Sequence, residues 1–375
     1  MRQAVYTIAE RQNCFSGIME PEQGNQKIRR TGREVRRTMT SRELVKRTLN
    51  FENGDGRAPR DLWTLPWAEM NHGEMLHKIQ RDYESDFVCA PELLGTRTVE
   101  EGDPYTPGTY RDQWGCIFQN IHPGIIGEVK EPIIKGEDWE DVEAAHIPVE
   151  QLTFDRDAVN AFCRSTDKYV FSGVCPRPFE QLQFIRGTEN LYMDLMDMPE
   201  NMEKFLGKMH AFYCELLEEW GKTDVDALRI MDDWGSQNTL LINPEMWKKI
   251  FRPMYKDYID IAKRHNKAMF MHSDGNTLQI IPELIDLGLD ALNAQIFCIG
   301  VEKLEPYAGK MTFWGEIDRQ HLLVEGTRQD IFEAVQKVKE TLWRDGGCVA
   351  QCEFGPGANP ENVYEVFRAW DEVLK

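Results

Sequence analysis

Short apolar runs alternate with longer amphipathic stretches along most of the chain. Apolar runs of about four to eight residues between polar turns indicate buried strands, and apolar positions three or four residues apart indicate helices. The predicted strands are Asp61–Leu65, Phe87–Ala90, Tyr169–Val174, Ala227–Met231, Ala268–His272, Ala291–Ala294, Met311–Trp314 and Cys348–Cys352. The clearest predicted helices are Asn201–Trp220, Pro244–His265, Thr277–Leu287 and Thr327–Trp343.

Eight strands alternating with helices favour a parallel sheet with helical crossovers, and such units close readily into a barrel. We therefore predict a (β/α)8 TIM barrel of the α/β class, although periodicity alone leaves an open sheet possible. The stretch between Thr109 and Ile134 alternates polar and apolar residues and contains several glycines. It predicts a β-hairpin inserted between barrel units.

The first 38 residues differ from the rest of the chain. They have little apolar periodicity and carry eight Lys or Arg residues, mostly between Lys27 and Arg37. We predict a disordered tail over residues 1–38 and one barrel domain over residues 39–375. Thr40 or Ser41 would cap the first helix. Whether translation starts at Met1 or at Met39 is open. Residues 39–375 alone exceed the roughly 250 residues that a barrel needs.

Charge and composition narrow the classes of partner. The formal net charge is -19, which argues against nucleic acid and anionic membranes because both attract a basic face. The sequence has no apolar stretch of membrane-spanning length, and its first twelve residues lack the apolar core of a signal peptide. Nine cysteines without a CxxC pair indicate reduced thiols. We therefore expect a cytoplasmic enzyme.

Polar residues follow four of the predicted strands, where a barrel places its catalytic groups. The four segments are Asp232–Gln237, His272–Asn276, Glu316–His321 and Cys352–Gly357. Asp232 and Asp233 are interpreted either as a functional carboxylate or as a helix cap beside a surface charge. The charges around Glu316 could pair with one another at the surface.

His272 and Asp274 point the same way because strand side chains alternate. Cys352 ends another strand at the same mouth. A histidine, a carboxylate and a thiolate that meet at one point could hold a metal ion with a fourth position open to substrate. The sequence therefore predicts a metal site of His272, Asp274 and Cys352. If Cys352 instead points into the barrel wall, it predicts a metal-free pocket around His272 and the Asp232–Asp233 pair.

From about Met39 onward the chain resembles the uroporphyrinogen decarboxylase superfamily, which includes decarboxylases and zinc-dependent methyltransferases that act with corrinoid proteins. The matching segments occur in order: Phe171-Ser172-Gly173, Asp232-Asp233-Trp234-Gly235-Ser236-Gln237, Asn243-Pro244-Glu245, His272-Ser273-Asp274-Gly275-Asn276, Phe313-Trp314-Gly315-Glu316-Ile317-Asp318 and Pro360-Glu361-Asn362-Val363. The resemblance implies a (β/α)8 barrel.

The departures from the decarboxylases favour the methyltransferase branch. The decarboxylases bind an acidic tetrapyrrole through an arginine-rich segment after the first strand, but here no arginine occurs between Arg60 and Arg81. Glu92 alone could replace their catalytic aspartate. Cys352 stands where they have a histidine. The methyltransferases bind zinc through a His-x-Cys pair and a later cysteine, which His272 and Cys352 match, with Asp274 in place of the middle cysteine.

The resemblance implies a zinc-dependent methyltransferase that moves a methyl group between a small molecule and a corrinoid or corrinoid protein. In this hypothesis Asp232 or Glu316 orients substrate or completes the metal shell, and aromatic residues line the pocket together with Glu92. The aromatic candidates are Trp63, Trp67, Trp234 and Trp314. Core packing explains each of them equally well. The alternatives are a decarboxylase for a tetrapyrrole or another acid and a non-catalytic barrel.

Removing residues 1–38 should leave the fold intact, because their composition cannot bury enough apolar surface to order them. We expect a chain that begins at Met39 to melt within a few degrees of the full chain, as measured by circular dichroism. Insolubility, or a melting temperature lower by several degrees, would show that the tail belongs to the fold.

Overall fold

The computed structural model describes residues 39–375, so the predicted tail lies outside the described residues. Between Met39 and Lys375 it contains eleven strands. They are β1 (Arg60–Thr64), β2 (Phe87–Cys89), β3 (Gly108–Arg111), β4 (Ile117–Asn120), β5 (Glu128–Val129), β6 (Tyr169–Phe171), β7 (Ala227–Met231), β8 (Ala268–Ser273), β9 (Ala291–Ala294), β10 (Thr312–Phe313) and β11 (Ala350–Phe354).

Twelve α-helices accompany these strands within the same described range. They are α1 (Ser41–Leu49), α2 (Pro66–Asp82), α3 (Arg156–Ser165), α4 (Pro178–Arg186), α5 (Thr188–Asp197), α6 (Glu200–Gly221), α7 (Pro244–Arg264), α8 (Ile281–Leu287), α9 (Ile296–Ile299), α10 (Leu322–Glu325), α11 (Arg328–Leu342) and α12 (Pro360–Val373).

Eight of the strands form the predicted parallel barrel. Strands β2, β6, β7, β8, β9 and β10 are hydrogen-bonded in that order, and β11 pairs with β1 in parallel. Bridges from Phe313 to Cys348 and from Glu316 to Gln351 join β10 to β11. The Asp86 N–H donates to the Arg60 carbonyl at 2.9 Å and connects β1 to β2. The circuit of strands is therefore complete.

The inserted element is larger than the predicted hairpin. Strands β3 and β4 form that antiparallel hairpin, and β5 adds a third antiparallel strand through Phe118 and Val129. Strand β5 has two residues, which is too short for an alternating pattern to reveal it in the sequence. The insertion reaches the C-terminal end of β1, because the Trp67 N–H donates to the Gly124 carbonyl at 3.0 Å.

Two apolar layers lie on the two faces of the barrel strands. The inner layer is dominated by aromatic rings from Trp63, Phe87, Tyr169, Phe171, Phe270 and Trp314. Helix α1 closes this layer through Val45, and the predicted Thr40 cap is present as a reciprocal capping box with Glu43. The outer layer packs the other face of each strand against the helices. Alternation along each strand thus separates the barrel interior from the helix contacts.

Candidate metal centre at the mouth of the barrel

The loops that follow β7 and β8 touch each other backbone to backbone. The Gly235 N–H donates to the Asp274 carbonyl at 3.0 Å, and the Asn276 N–H donates to the Ser236 carbonyl at 2.8 Å. A Cβ on Gly275, whose φ is +75°, would lie 2.2 Å from the Gly235 carbonyl carbon. This approach needs glycine on both sides, which explains the glycine in each of the two loop motifs.

The contact brings together three side chains that can bind a metal, Asp233, His272 and Asp274. Each offers one ligand atom, and these atoms all lie within 4.8 Å of one another. His272 Nε2 is 3.4 Å from Asp233 Oδ1 and 3.7 Å from Asp274 Oδ1. The Asp274 N–H also donates to Asp233 Oδ1 at 2.8 Å. All three side chains are buried, so this geometry is held within the fold.

Asn293 on β9 fixes which imidazole nitrogen faces the carboxylates. Its Nδ2 donates to the Trp314 carbonyl, so its Oδ1 is directed at His272 Nδ1 at 2.6 Å and accepts a hydrogen bond there. The hydrogen of a neutral His272 is therefore on Nδ1, and the lone pair on Nε2 points towards Asp233 and Asp274. A metal-binding histidine typically donates its other ring N–H to a fixed acceptor, as His272 Nδ1 does to Asn293.

Two atoms at this point are buried and make no hydrogen bond in the described structure: His272 Nε2 and Asp233 Oδ2. A buried polar atom without a partner is costly unless a ligand satisfies it. A divalent cation would satisfy both atoms at once. One nitrogen and two carboxylate oxygens are a donor set that zinc accepts, with a further coordination position open. The residues therefore fit a metal ion.

Arg319 connects the three-residue group to two more carboxylates. Its Nη2 donates to Asp274 Oδ2 at 2.5 Å, its Nη1 donates to Glu353, and its Nε lies 3.3 Å from Glu316 Oε1. Gln295 donates to the other Asp274 oxygen at 2.9 Å. The Arg319 side chain is 22% exposed and is the most exposed of these ionic partners. It therefore lies between the buried acids and solvent.

The titration of these groups follows from burial and neighbouring charge. Burial opposes the imidazolium, yet the carboxylates of Asp233 and Asp274, 3.4 and 3.7 Å from Nε2, raise the pKa of His272 to about 9. Burial also opposes ionisation of Asp233, but His272 lowers the pKa of that carboxyl. At Glu316 the effect of burial outweighs that of the nearby Arg319 charge, and it raises the pKa of the carboxyl group to about 8. Glu316 therefore holds a proton at neutral pH beside an ionised pair.

Asp232 has different partners from its neighbour Asp233. Its two oxygens accept from the N–H groups of Phe179 and Glu180 at 3.1 and 2.7 Å, and one also accepts from the Tyr255 hydroxyl at 2.8 Å. These bonds secure the first turn of α4. Of the two readings of the acidic pair, the structure gives the cap to Asp232, for which we had predicted a role in orienting substrate, and the place in the ligand group to Asp233.

Cys352 is not brought to this group. Its side chain is fully buried in the outer layer with Ala350 and Phe354. The side chains of Gln351 and Glu353, on either side of Cys352 in β11, point the opposite way from it. Glu353 contacts Arg319 at the mouth. The group of potential ligands around His272 contains Asp233 instead of Cys352. This placement departs from the ligand set that the sequence predicted.

The predicted pocket residues are distributed over several places. The indole N–H groups of Trp63 and Trp314 both donate to Asp61 at 2.8 Å within the inner layer, and the Trp63 ring lies 5.1 Å from the His272 ring. Trp234 is fully buried in the outer layer and stacks on Phe179, so it serves core packing. Trp67 is half-buried and Glu92 is exposed. Of the four tryptophans, Trp63 is the one that contacts the ligand group.

Sequence reasoning missed Glu180 as well as Asn293 and Gln295. Glu180 is buried, accepts from Arg177 at 3.0 Å through Oε2, and leaves Oε1 without a hydrogen-bond partner. Burial raises the pKa of Glu180 to about 8 against the charge of Arg177. A signal existed for the other two, since Asn293 and Gln295 are polar residues two apart at the end of an apolar run.

The fold and these side chains define a barrel enzyme with a candidate metal centre at the C-terminal mouth. The family model of uroporphyrinogen decarboxylase (URO-D) matches residues 115–373, more than half of the chain. The chain therefore belongs to the uroporphyrinogen decarboxylase family. In the described part, residues 39–375, no helix has the length and apolar character needed to cross a membrane.

One solved structure supports the same fold. A methyltransferase from Methanosarcina mazei superposes with a TM-score of 0.61 at 15% identity, covering 90% of this chain and all of that chain. A B12-independent methionine synthase from Shewanella sp. W3-18-1 is less similar, with a TM-score of 0.44 at 14% identity and 85% and 92% of the two chains covered. A search of curated protein sequences gave no significant match.

Replacing Gly275 by alanine should disrupt the candidate metal centre. The new Cβ would lie 2.2 Å from the Gly235 backbone, so the two loops must separate and Asp233, His272 and Asp274 lose their relative positions. We expect a loss of stability larger than the roughly 1 to 2 kcal/mol that left-handed backbone alone costs a residue with a Cβ. Thermal and urea unfolding would measure it.

Gly357→Ala is the matched control for this prediction. Gly357 has a φ of +89°, and a Cβ placed there would meet nothing within 4 Å. It therefore reports the cost of the backbone conformation without the collision. Equal losses of unfolding free energy in the two variants would show that the contact between the loops is unimportant.

Proposed function

We propose that the chain is a zinc-dependent methyltransferase of this family. It would transfer a methyl group between a small molecule and a corrinoid, or a corrinoid-carrying partner protein. The observation that carries the proposal is the buried, unpartnered Nε2 of His272 facing Asp233 and Asp274. These three residues would hold the metal. This revises the ligand set predicted from sequence by replacing Cys352 with Asp233.

A zinc ion held there would supply Lewis-acid polarisation of the heteroatom that carries or receives the methyl group. Two carboxylates and one imidazole make a harder ligand set than one with thiolates. This favours a methylated oxygen or nitrogen over sulfur in the small molecule. The Trp63 ring, 5.1 Å from His272, would offer an apolar surface beside the ligand group.

Glu316 is the residue best placed to supply a proton. Burial raises its pKa to about 8, so its carboxyl group is mostly protonated at neutral pH. Its Oε1 is buried next to Arg319 at 3.3 Å and has no hydrogen-bond partner in the described structure. An ether or methylated amine that gives its methyl group to the corrinoid needs a proton at the departing oxygen or nitrogen, and Glu316 could donate it. This role is more specific than the sequence prediction, in which Glu316 orients substrate or completes the metal shell.

Arg319 would control access to this chemistry. It holds Asp274, Glu316 and Glu353 together and is the partly exposed member of that set. A small molecule that reaches Asp274 has to pass or displace this guanidinium. Trp67 and Glu92, which we predicted as pocket residues, are half-buried and exposed respectively, so they would contribute at the rim.

The electrostatics of the mouth do not favour a substrate with many carboxylates. The guanidinium of Arg319 already contacts three carboxylates, and Arg177 donates to Glu180. The segment between Arg60 and Arg81 adds no arginine. Recognition of a polyacid needs guanidinium groups that are available to it. The engagement of these two arginines with acids therefore counts against the decarboxylase alternative.

Metal analysis of two variants tests the ligand set. We expect about one zinc ion per chain to bind at the mouth, so bound zinc should fall by about one equivalent in His272→Ala, together with activity. Cys352→Ser should keep the zinc, because Cys352 lies in the outer layer, and should lose some stability instead. Equilibrium dialysis followed by elemental analysis, with circular dichroism as the check on folding, would measure these outcomes.

Asn293→Ala should weaken zinc binding at the same site without abolishing it. Removing the acceptor for His272 Nδ1 should weaken zinc binding by about 10- to 100-fold without removing a ligand. Zinc lost from Cys352→Ser but retained by His272→Ala would contradict the proposed centre. Zinc binding that no variant changes would do so as well.

The protein should not decarboxylate uroporphyrinogen. The absence of arginine between Arg60 and Arg81, and the engagement of Arg319 and Arg177 with acids, leave its carboxylates without partners. Incubation with the tetrapyrrole and chromatography of the products would decide this. Turnover at an ordinary enzymatic rate would show that the mouth rearranges to bind polyacids.

A further inference from the structure

A second group of potential metal ligands lies on the outer face of the barrel, between α6 and α7. It consists of His210 and Cys214, one turn apart on α6, and Asp257 on α7. Residues four apart on a helix share one face, so the imidazole and the thiol face the neighbouring helix together. Their ligand atoms and an Asp257 oxygen all lie within 4.8 Å of one another. This group is separate from the mouth.

Tyr258 orients the His210 ring. Its hydroxyl lies 3.2 Å from Nδ1, while Nε2 lies 3.0 Å from Asp257 Oδ2. A neutral His210 that donates from Nδ1 to the hydroxyl leaves the lone pair of Nε2 directed towards Asp257. Tyr258 is fully buried, so its hydroxyl is fixed by the packing of α7. The hydroxyl can accept from Nδ1 when a cation occupies Nε2, and so would hold the ring as the outer partner of a metal-binding histidine.

The spacing agrees with a small tetrahedral cation. Zinc bonds of about 2.0 Å to nitrogen and oxygen and 2.3 Å to sulfur put ligand atoms roughly 3.3 to 3.6 Å apart in a tetrahedron. The Cys214 sulfur is 3.7 Å from Nε2 of His210, and Asp257 Oδ2 is 3.0 Å from the same nitrogen. Two of the three ligand pairs are thus close to tetrahedral spacing, and the third, between the Cys214 sulfur and an Asp257 oxygen, lies within 4.8 Å.

We propose that His210, Cys214 and Asp257 form a second, outer binding site for a thiophilic divalent cation such as zinc. Asp257 is 56% exposed, so water can occupy the fourth position. Binding replaces the thiol proton, which leaves as the sulfur–metal bond forms, and no redox change is involved. Because the ligands come from the two long helices α6 and α7, the cation would join them and stabilise that part of the outer layer.

The two proposed sites differ in one measurable property. The mouth group of Asp233, His272 and Asp274 contains no sulfur, whereas the outer group contains Cys214. Cobalt(II) bound through a thiolate gives a near-ultraviolet sulfur-to-metal charge-transfer band. Cobalt bound only to nitrogen and oxygen lacks that band. The band therefore reports the outer site whether or not the mouth binds metal, so failure of one proposal is distinguishable from failure of the other.

Titration of the full-length protein with cobalt(II) tests the outer site. We expect a charge-transfer band in the wild type that is absent in Cys214→Ser and that saturates at one equivalent in His272→Ala, in which the mouth no longer takes up cobalt. Tyr258→Phe should weaken the outer site by about 10- to 100-fold. Asp257→Asn, which removes a charged ligand, should weaken it by more than that. Zinc should compete with cobalt for the site and raise the melting temperature of His272→Ala but not of the double variant with Cys214→Ser.

Matched substitutions separate the site from general effects on the two helices. Glu215→Gln changes the exposed neighbour of Cys214, and Asp260→Asn changes an acid one turn after Asp257 that pairs with Lys256. Neither should alter the band. Three outcomes would overturn the proposal: no band in the wild type, a band that survives Cys214→Ser, or a band lost in Cys352→Ser, which would place the thiolate at the mouth.

Discussion

The mouth of the barrel buries more acid than its basic groups can neutralise. In the described part of the chain, seven buried acids lie there or directly beneath: Asp61, Glu180, Asp232, Asp233, Asp274, Glu316 and Glu353. Three arginines and one histidine accompany them: Arg177, Arg229, Arg319 and His272. Burying an uncompensated charge is expensive, so protons or a cation must relieve the excess. The cap formed by Asp232 and the ionic contacts of Arg177 and Arg319 are ways in which the mouth compensates this excess of buried acid.

Protons relieve part of the excess, and they do so unevenly. Burial raises the pKa of Glu180 and of Glu316 to about 8 and that of Asp232 to about 7. Asp233, in contact with His272, has a lowered pKa. Carboxyl groups a few ångströms apart are thus kept in opposite protonation states, which is how one site can offer a proton donor beside fixed negative charge. That contrast supports the separate roles proposed for Glu316 and for the ligand group.

The alternation of strand side chains explains both what the sequence predicted and what it missed. The strands were found because buried parallel strands are short apolar runs, and the pairing of His272 with Asp274 came from alternation. By the same rule, Asp233 points to the same side as Met231, two residues before it. Asp232 points the other way, towards α4. Applied to β11, it puts Cys352 on the helix side with Ala350. The cap formed by Asp232 and the loop contact at Gly235 depend on neighbours distant in sequence, and no local pattern encodes them.

Proton and metal would compete for one atom at the mouth, Nε2 of His272. Its raised pKa of about 9 means that the metal-free site holds an imidazolium at neutral pH, stabilised by Asp233 and Asp274. A divalent cation needs the neutral ring, so its binding releases that proton, and its affinity should rise with pH and level off only above about pH 9. The same two carboxylates favour either occupant, while Asn293 keeps Nδ1 out of the exchange. The cation brings one more positive charge than the proton it replaces, and a mouth with excess acid therefore favours the exchange.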